Sequence, residues 1–342
     1  MWIRSPLWDG IWILSGAPLA AALLCLSTPQ LYAILFFTVF ADVGHSFSPV
    51  VLAWSHAGYR EIMLARKRKY ILLPLVIVIA TVGIGGLTTA GFLYYRPDVG
   101  FLKQMRGLDN TINSPWLMVI WVYLVWNSYH FAKQNFGVLS LYRMRSGVGS
   151  RAVDKVFSFA TTGTAMAIAL PFSFIGWLNA RYSVFICTVT AVVAVLWMLW
   201  HDIGWGWCWP RLWLIASDGA ALALLWWNPL VGLAVYSVNH WLVSVGLSGA
   251  IFTRQRGSLW GHRLNGCEFP IAMMLLGCLG FLFAWPIYLA NGNVVVAVIT
   301  NPVVYSVRLA QGMLHLLYDR WVYRLSDRRV RGIVAKDLLR VA

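Results

Sequence analysis

Charge is scarce in this chain. Of 342 residues, 11% are Asp, Glu, Lys or Arg, with 12 acidic against 27 basic, where soluble domains carry about 25%. No polar stretch is long enough to build a soluble domain, so residues 1–342 read as a single integral membrane domain. The first twenty residues lack a basic start and a small-residue cleavage site. The N-terminal apolar run therefore reads as a retained helix rather than a signal peptide. Cysteine is also sparse. Cys25, Cys187, Cys208, Cys267 and Cys278 form no CxxC pair, which excludes the thiolate metal knuckles and redox pairs that need that spacing. They read as buried, inert thiols. No HxxxH, HxxHH or HExxH box is present. The net charge of +15 comes without a soluble basic face of interleaved aromatics, which excludes nucleic acid as a partner.

What the sequence has is apolar length. It is 60% hydrophobic with 20 Trp, and successive apolar runs of about 18 residues or more cover nearly all of it. That pattern is an all-α, polytopic transmembrane helical bundle whose first partner is the lipid bilayer. Helices are expected at 11–28, 30–55, 70–94, 115–142, 154–177, 183–201, 211–227, 229–253, 269–290 and 294–323. Pro29, Pro115, Pro210, Pro229 and Pro270 fall at starts or joints, where proline is tolerated. With the N-terminus inside, 21 Lys and Arg lie on inner segments and 4 on outer loops, Arg96, Lys103, Arg106 and Arg181. This asymmetry puts both termini in the cytoplasm, with residues 324–342 as a basic cytoplasmic tail. The Trp clusters "WMLWHDIGWGWCW" and "LLWWNP" read as interfacial belts.

Against that background the polar residues inside helices stand out. His45 precedes the next arginine by 15 residues, His130 by 13 and His240 by 14. At 1.5 Å per residue each lies about 20 Å from the inner charges, so three histidines on three helices share one depth. His315 and His56 are shallower by the same measure, and His201 and His262 read as interfacial or solvated. Polar neighbours sit at helical spacing: Asp42 before His45, Asn127 and Gln134 around His130, Gln311 and Asp319 around His315. Ionisable groups within a bilayer face the bundle interior and mark function. Neutral imidazole suits Fe, Zn and Cu, and a neighbouring carboxylate or amide orients each ring. His45, His130, His240 and His315 are the expected metal ligands, and Asp42, Gln134 and Asp319 the expected catalytic or supporting groups. His45 and His56 lie about 16 Å apart along one helix and share an ion only where the helix breaks near Pro49. Lys133 is left to snorkel to the inner surface or to pair with Asp42 or Asp218. Arg308 is left to hold an anionic group or to pair with Asp218.

Four segments, "DVGHSF" (Asp42–Phe47), "YHFAKQNFGVLSLYR" (Tyr129–Arg143), "NHWL" (Asn239–Leu242) and "HLLYDRWVYRLSDRRVR" (His315–Arg331), resemble a bacterial group of histidine-containing membrane proteins. More distantly, the chain is similar to the Brp/Blh β-carotene 15,15′-dioxygenases. The resemblance implies non-haem iron held by intramembrane histidines and O₂-dependent cleavage of a carotenoid. The expectation is a membrane non-haem iron oxygenase, Fe(II) as cofactor, acting on a lipophilic small molecule in a bacterial inner membrane. Two other classes fit parts of the pattern. A haem or quinone electron-transfer protein uses two of the histidines and shows a Soret band. A proton-coupled transporter uses the buried Asp, Lys, Arg and His as a relay.

Overall fold

The computed structural model describes residues 2–95, 115–169, 180–256, 267–291 and 302–339. Among them there are thirteen α-helices and no strand. In chain order they are α1 (Pro6–Trp12), α2 (Gly16–Leu24), α3 (Thr28–Ser55), α4 (Ala57–Ala65), α5 (Leu73–Tyr95), α6 (Pro115–Ser146) and α7 (Arg151–Ala169). They continue as α8 (Ala180–Trp205), α9 (Trp209–Trp227), α10 (Pro229–Arg256), α11 (Glu268–Asn291), α12 (Pro302–Val322) and α13 (Arg328–Val334). A π-helical turn, Arg68–Leu72, leads into α5, and a second, Ala335–Leu339, follows α13.

The first expected helix, 11–28, is two helices bent by 49°. The cause is Pro18 in the first turn of α2. It has no N–H for the carbonyl of Leu14, four residues back, and its ring crowds that oxygen. The freed Leu14 carbonyl instead accepts from Trp213 Nε1 at 2.7 Å. Pro49 lies within α3 and leaves that helix unbroken as far as Ser55. The carbonyl that Pro49 deprives of a donor is that of His45, and the Ser48 hydroxyl donates to it at 2.9 Å. The break comes at His56, whose Nδ1 accepts from Tyr59 N and caps α4. His56 is therefore a helix cap, held apart from His45 by the intact helix.

The chain divides into two compact units. Unit 1 takes residues 1–39, 128–271 and 325–342. In it α7 packs on α8, and α9 packs on α10 and α2. Small residues such as Ala221, Ala234 and Ala191 let these helices approach around Leu225, Val235 and Tyr236. Its polar centre is Arg211, fully buried. Arg211 Nε donates to Asp202 Oδ2 at 2.8 Å, Nη2 to Asp154 Oδ1 at 2.7 Å, and Nη1 to the Leu139 carbonyl at 3.1 Å. Arg143 pairs with the other oxygen of Asp154. Gly149 has φ +104, and a Cβ there would overlap the Arg211 guanidinium. Arg143 and Arg211, counted from sequence as inner-surface charges, are thus half of an internal cluster of two cations and two carboxylates. Asp9 is buried and accepts from the backbone of Ile3 and Arg4 and from Tyr142 Oη. Arg145 ties Trp2 and Leu339 by their carbonyls. The basic segment after 324 folds back here, with Val330, Val334, Leu338 and Leu339 buried.

Unit 2 takes residues 40–127 and 272–324, and its main contact is α5 against α12. Aromatic hydrogen bonds clamp α3, the first π-helical turn and α12 together. Trp54 Nε1 donates to Tyr318 Oη at 3.2 Å, and Tyr318 Oη donates to the Tyr70 carbonyl at 2.8 Å. Tyr59 Oη donates to the Val322 carbonyl at 2.9 Å. A Cβ on Gly44 would overlap the carbonyl of Met273 and stand 3.4 Å from Gly277 N, so α3 and α11 touch backbone to backbone beside His45. Gly44→Ala is expected to force them apart. Overpacking of this kind costs about 1–3 kcal/mol, read as a lower melting temperature of the purified protein; an unchanged value would contradict the contact.

The cysteines depart from expectation. All five are free, but Cys208 alone is buried, while Cys25 and Cys278 are exposed. A place inside an apolar helix does not imply burial here, because these helices carry apolar residues on their outer faces too.

Candidate metal centre

Each unit brings two of the expected histidines together. In unit 2, His45 on α3 and His315 on α12 are 2% and 4% exposed, with ring centroids 4.1 Å apart and planes at 56°. The aromatic clamp above lies one to three turns further along the same two helices and fixes their register. In unit 1, His130 on α6 and His240 on α10 face each other edge to face, with Nε2 to Nε2 at 3.3 Å. One of those nitrogens carries the proton and the other accepts it, so at least one of the two rings donates through Nε2. His240 also stacks on Phe131 at 3.8 Å between centroids, and its carbonyl accepts from Gln134 Nε2 at 2.9 Å. Gln134, one turn after His130, thereby ties α6 to α10 through its amide nitrogen.

Three buried histidines lie close enough to bind one metal ion. His45, His240 and His315 each offer a ring nitrogen, all within 4.8 Å of one another. Nitrogens that ligate one ion at about 2.0–2.1 Å stand about 3.4 Å apart in a tetrahedral arrangement. The observed limit of 4.8 Å exceeds that spacing by about 1.4 Å. Neutral imidazoles away from water are a donor set that fits a transition metal, and nothing about the pocket requires a thiolate or a cluster. His130 faces His240 and is not one of the three. As the hydrogen-bond partner of a ligand it belongs to the surrounding shell, where losses run to about 10–100-fold in metal affinity. His130→Ala is expected to weaken binding by that factor without abolishing it, measured by competition with a chelator; complete loss would make His130 a ligand.

The other expected residues divide. Asp319 is buried one turn beyond His315 on α12, at the spacing that lets a carboxylate orient the ring. The Asp42 side chain lies outside the described residues. Among the described residues Lys133 does not pair with Asp218. It is exposed, its ammonium 5.4–5.7 Å from the rings of Tyr129, Phe136 and Phe159, as a cation over π-faces. Asp218 takes a hydrogen bond from Asn135 Nδ2 at 3.2 Å. Arg308 donates to Gln311 Oε1 at 2.7 Å, one turn before His315. His315 is shallower than His45 by the count to the next arginine, yet the two rings lie against each other.

No protein-family model matches this chain, and neither a curated protein nor a solved structure matches it.

Proposed function

We propose that this chain is a membrane-embedded protein whose histidines hold one redox-active metal ion, and that it oxidises a lipophilic substrate with O₂. The observation that carries this reading is the approach of His45, His240 and His315. Three imidazoles leave coordination positions open and suit iron, copper or zinc, of which a redox-active ion serves O₂ chemistry. When bound, the ion supplies a redox-active Lewis acid for O₂. The chain's own residues bind it, keep water away and orient the rings. Stacking on Phe131 and the Gln134 bond hold His240, and Ser48 braces the backbone of His45. The resemblance of the four motifs to the Brp/Blh enzymes adds a carotenoid or other isoprenoid as the substrate class. A haem between His45 and His315 is disfavoured, because their rings lie against each other.

The membrane part rests on length and on outward chemistry. Seven of the described helices have 21 residues or more, enough for a hydrocarbon core of about 30 Å. One segment, Phe185–Gly204, is long and apolar enough on composition to cross by itself, and the bent α1–α2 pair makes a second. On α8 most of the large apolar residues point out, among them Phe185, Ile186, Val189, Val193, Leu196 and Trp200, while Ala191, Ala194 and Met198 point in. A helix in water shows the reverse.

The test is metal analysis by mass spectrometry on detergent-purified protein, with a visible spectrum. About one iron per chain and no Soret band support the reading. A stoichiometric Soret band or no metal after anaerobic reconstitution with Fe(II) refutes it.

A further inference from the structure

The segment joining α4 to α5 combines two features that the metal centre does not use. Arg60, Arg66, Lys67 and Arg68 are exposed, and Lys69 beside them is held over the rings of Tyr70 and Trp321 at 4.9 and 5.9 Å. Directly after this basic group comes an outward row of apolar residues. Leu72, Leu75, Val76 and Ile79 are each more than half exposed. Their spacing of 3, 4 and 7 is one face of a helix, and Pro74 between them is buried. The row runs about 16 Å from Arg68. A nucleic acid or an acidic protein would match the charges and leave that row in water. A lipid leaflet matches both, with phosphate at the basic group and acyl chain along the row.

We propose that this face binds anionic phospholipid, with Arg66, Lys67, Arg68 and Lys69 on the headgroup and Leu72, Leu75, Val76 and Ile79 on the acyl chains. The proposal rests on the membrane reading and names the lipid that reading leaves open. Basic residues near a bilayer surface each add attraction to anionic lipid, and salt screens it. The bound headgroup also bears on the centre. The Tyr70 carbonyl in this turn accepts from Tyr318, and Tyr318 lies one turn after His315.

The experiment uses the full chain in neutral detergent. Its melting temperature is followed during titration with phosphatidylglycerol, with phosphatidylcholine of the same acyl chains, and with inorganic phosphate. Phosphatidylglycerol is expected to raise the melting temperature and the other two are not. The variant Arg66→Gln, Lys67→Gln, Arg68→Gln, Lys69→Gln changes three exposed side chains and the half-buried Lys69, and the half-maximal lipid concentration is expected to rise at least about tenfold. About 0.5 M salt reproduces that loss in the unaltered protein. Equal responses to the two lipids, or a response to phosphate equal to that for phosphatidylglycerol, overturn the proposal while the membrane reading stands. A chain that stays dispersed and folded without detergent overturns the membrane reading itself. Should the fourfold variant not fold, native mass spectra of the unaltered protein decide: retained phosphatidylglycerol supports the proposal and indifferent retention of both lipids refutes it.

Discussion

Replacing His315 with alanine is expected to empty the metal centre, lowering affinity at least about a thousandfold, while the protein still folds. A site cut from three imidazoles to two loses both a bond and the geometry that excludes competing ions. The ring is small and sits against His45, so the cavity left behind costs far less than the helix contacts that hold α12. Tyr318, Trp321 and Val322 keep those contacts one turn on. His45→Ala and His240→Ala should match His315→Ala in metal loss, and the three together should be no worse than one, because a site that acts as a unit fails once. The measurement is iron per chain after purification with added Fe(II), paired with circular dichroism. Full metal in His315→Ala, with the helical signal intact, would remove this histidine from the centre.

Much of this was legible from sequence for a physical reason. Long apolar runs bounded by proline report helices directly, and a histidine in such a run is costly enough to be noticed. His45, His130 and His240 stood out on that ground. Their pairing did not. The depth rule counts residues along one helix and does not register which rings meet: His315 lies against His45 although its count to the next arginine is 5 against 15. Pro18 carried the signal for the α1–α2 break but sits among alanines and leucines that favour helix. Pro49 carried the same signal for α3, yet Ser48 repairs the lost bond one residue away, a compensation that depends on rotamer. His56 read as a spare ligand because a ring nitrogen caps a helix as readily as it binds a metal. The Arg211 cluster was the largest omission. Its members come from four helices, and Asp154 and Arg211 are 57 residues apart. Each alone resembles an ordinary charge at a helix end.

That cluster carries the second large effect. Arg211→Met is expected to destabilise the protein by about 3–5 kcal/mol, the range for breaking a buried ion pair from one side. The arithmetic of charge explains the size. Arg143 and Arg211 balance Asp154 and Asp202, and all but Arg143 are almost wholly buried. Removing Arg211 leaves Arg143 to serve Asp154 and strips Asp202 of both its guanidinium bonds. It also frees the Leu139 carbonyl on α6, which the same side chain ties to α9. Arg211→Lys keeps the charge and loses the fork, since one ammonium does not reach two carboxylates and a carbonyl in the geometry of a planar guanidinium. It should fall between the two. The double variant Arg211→Met, Asp202→Leu removes one charge of each sign and leaves the Arg143–Asp154 pair neutral. It is expected to be more stable than Arg211→Met alone, although it removes more of the native side chains. Thermal unfolding in detergent measures this order, with a drop on the order of 10 °C for the single variant. If the double variant unfolds below the single one, packing around Arg211 and not charge balance is what holds α6, α7, α8 and α9 together.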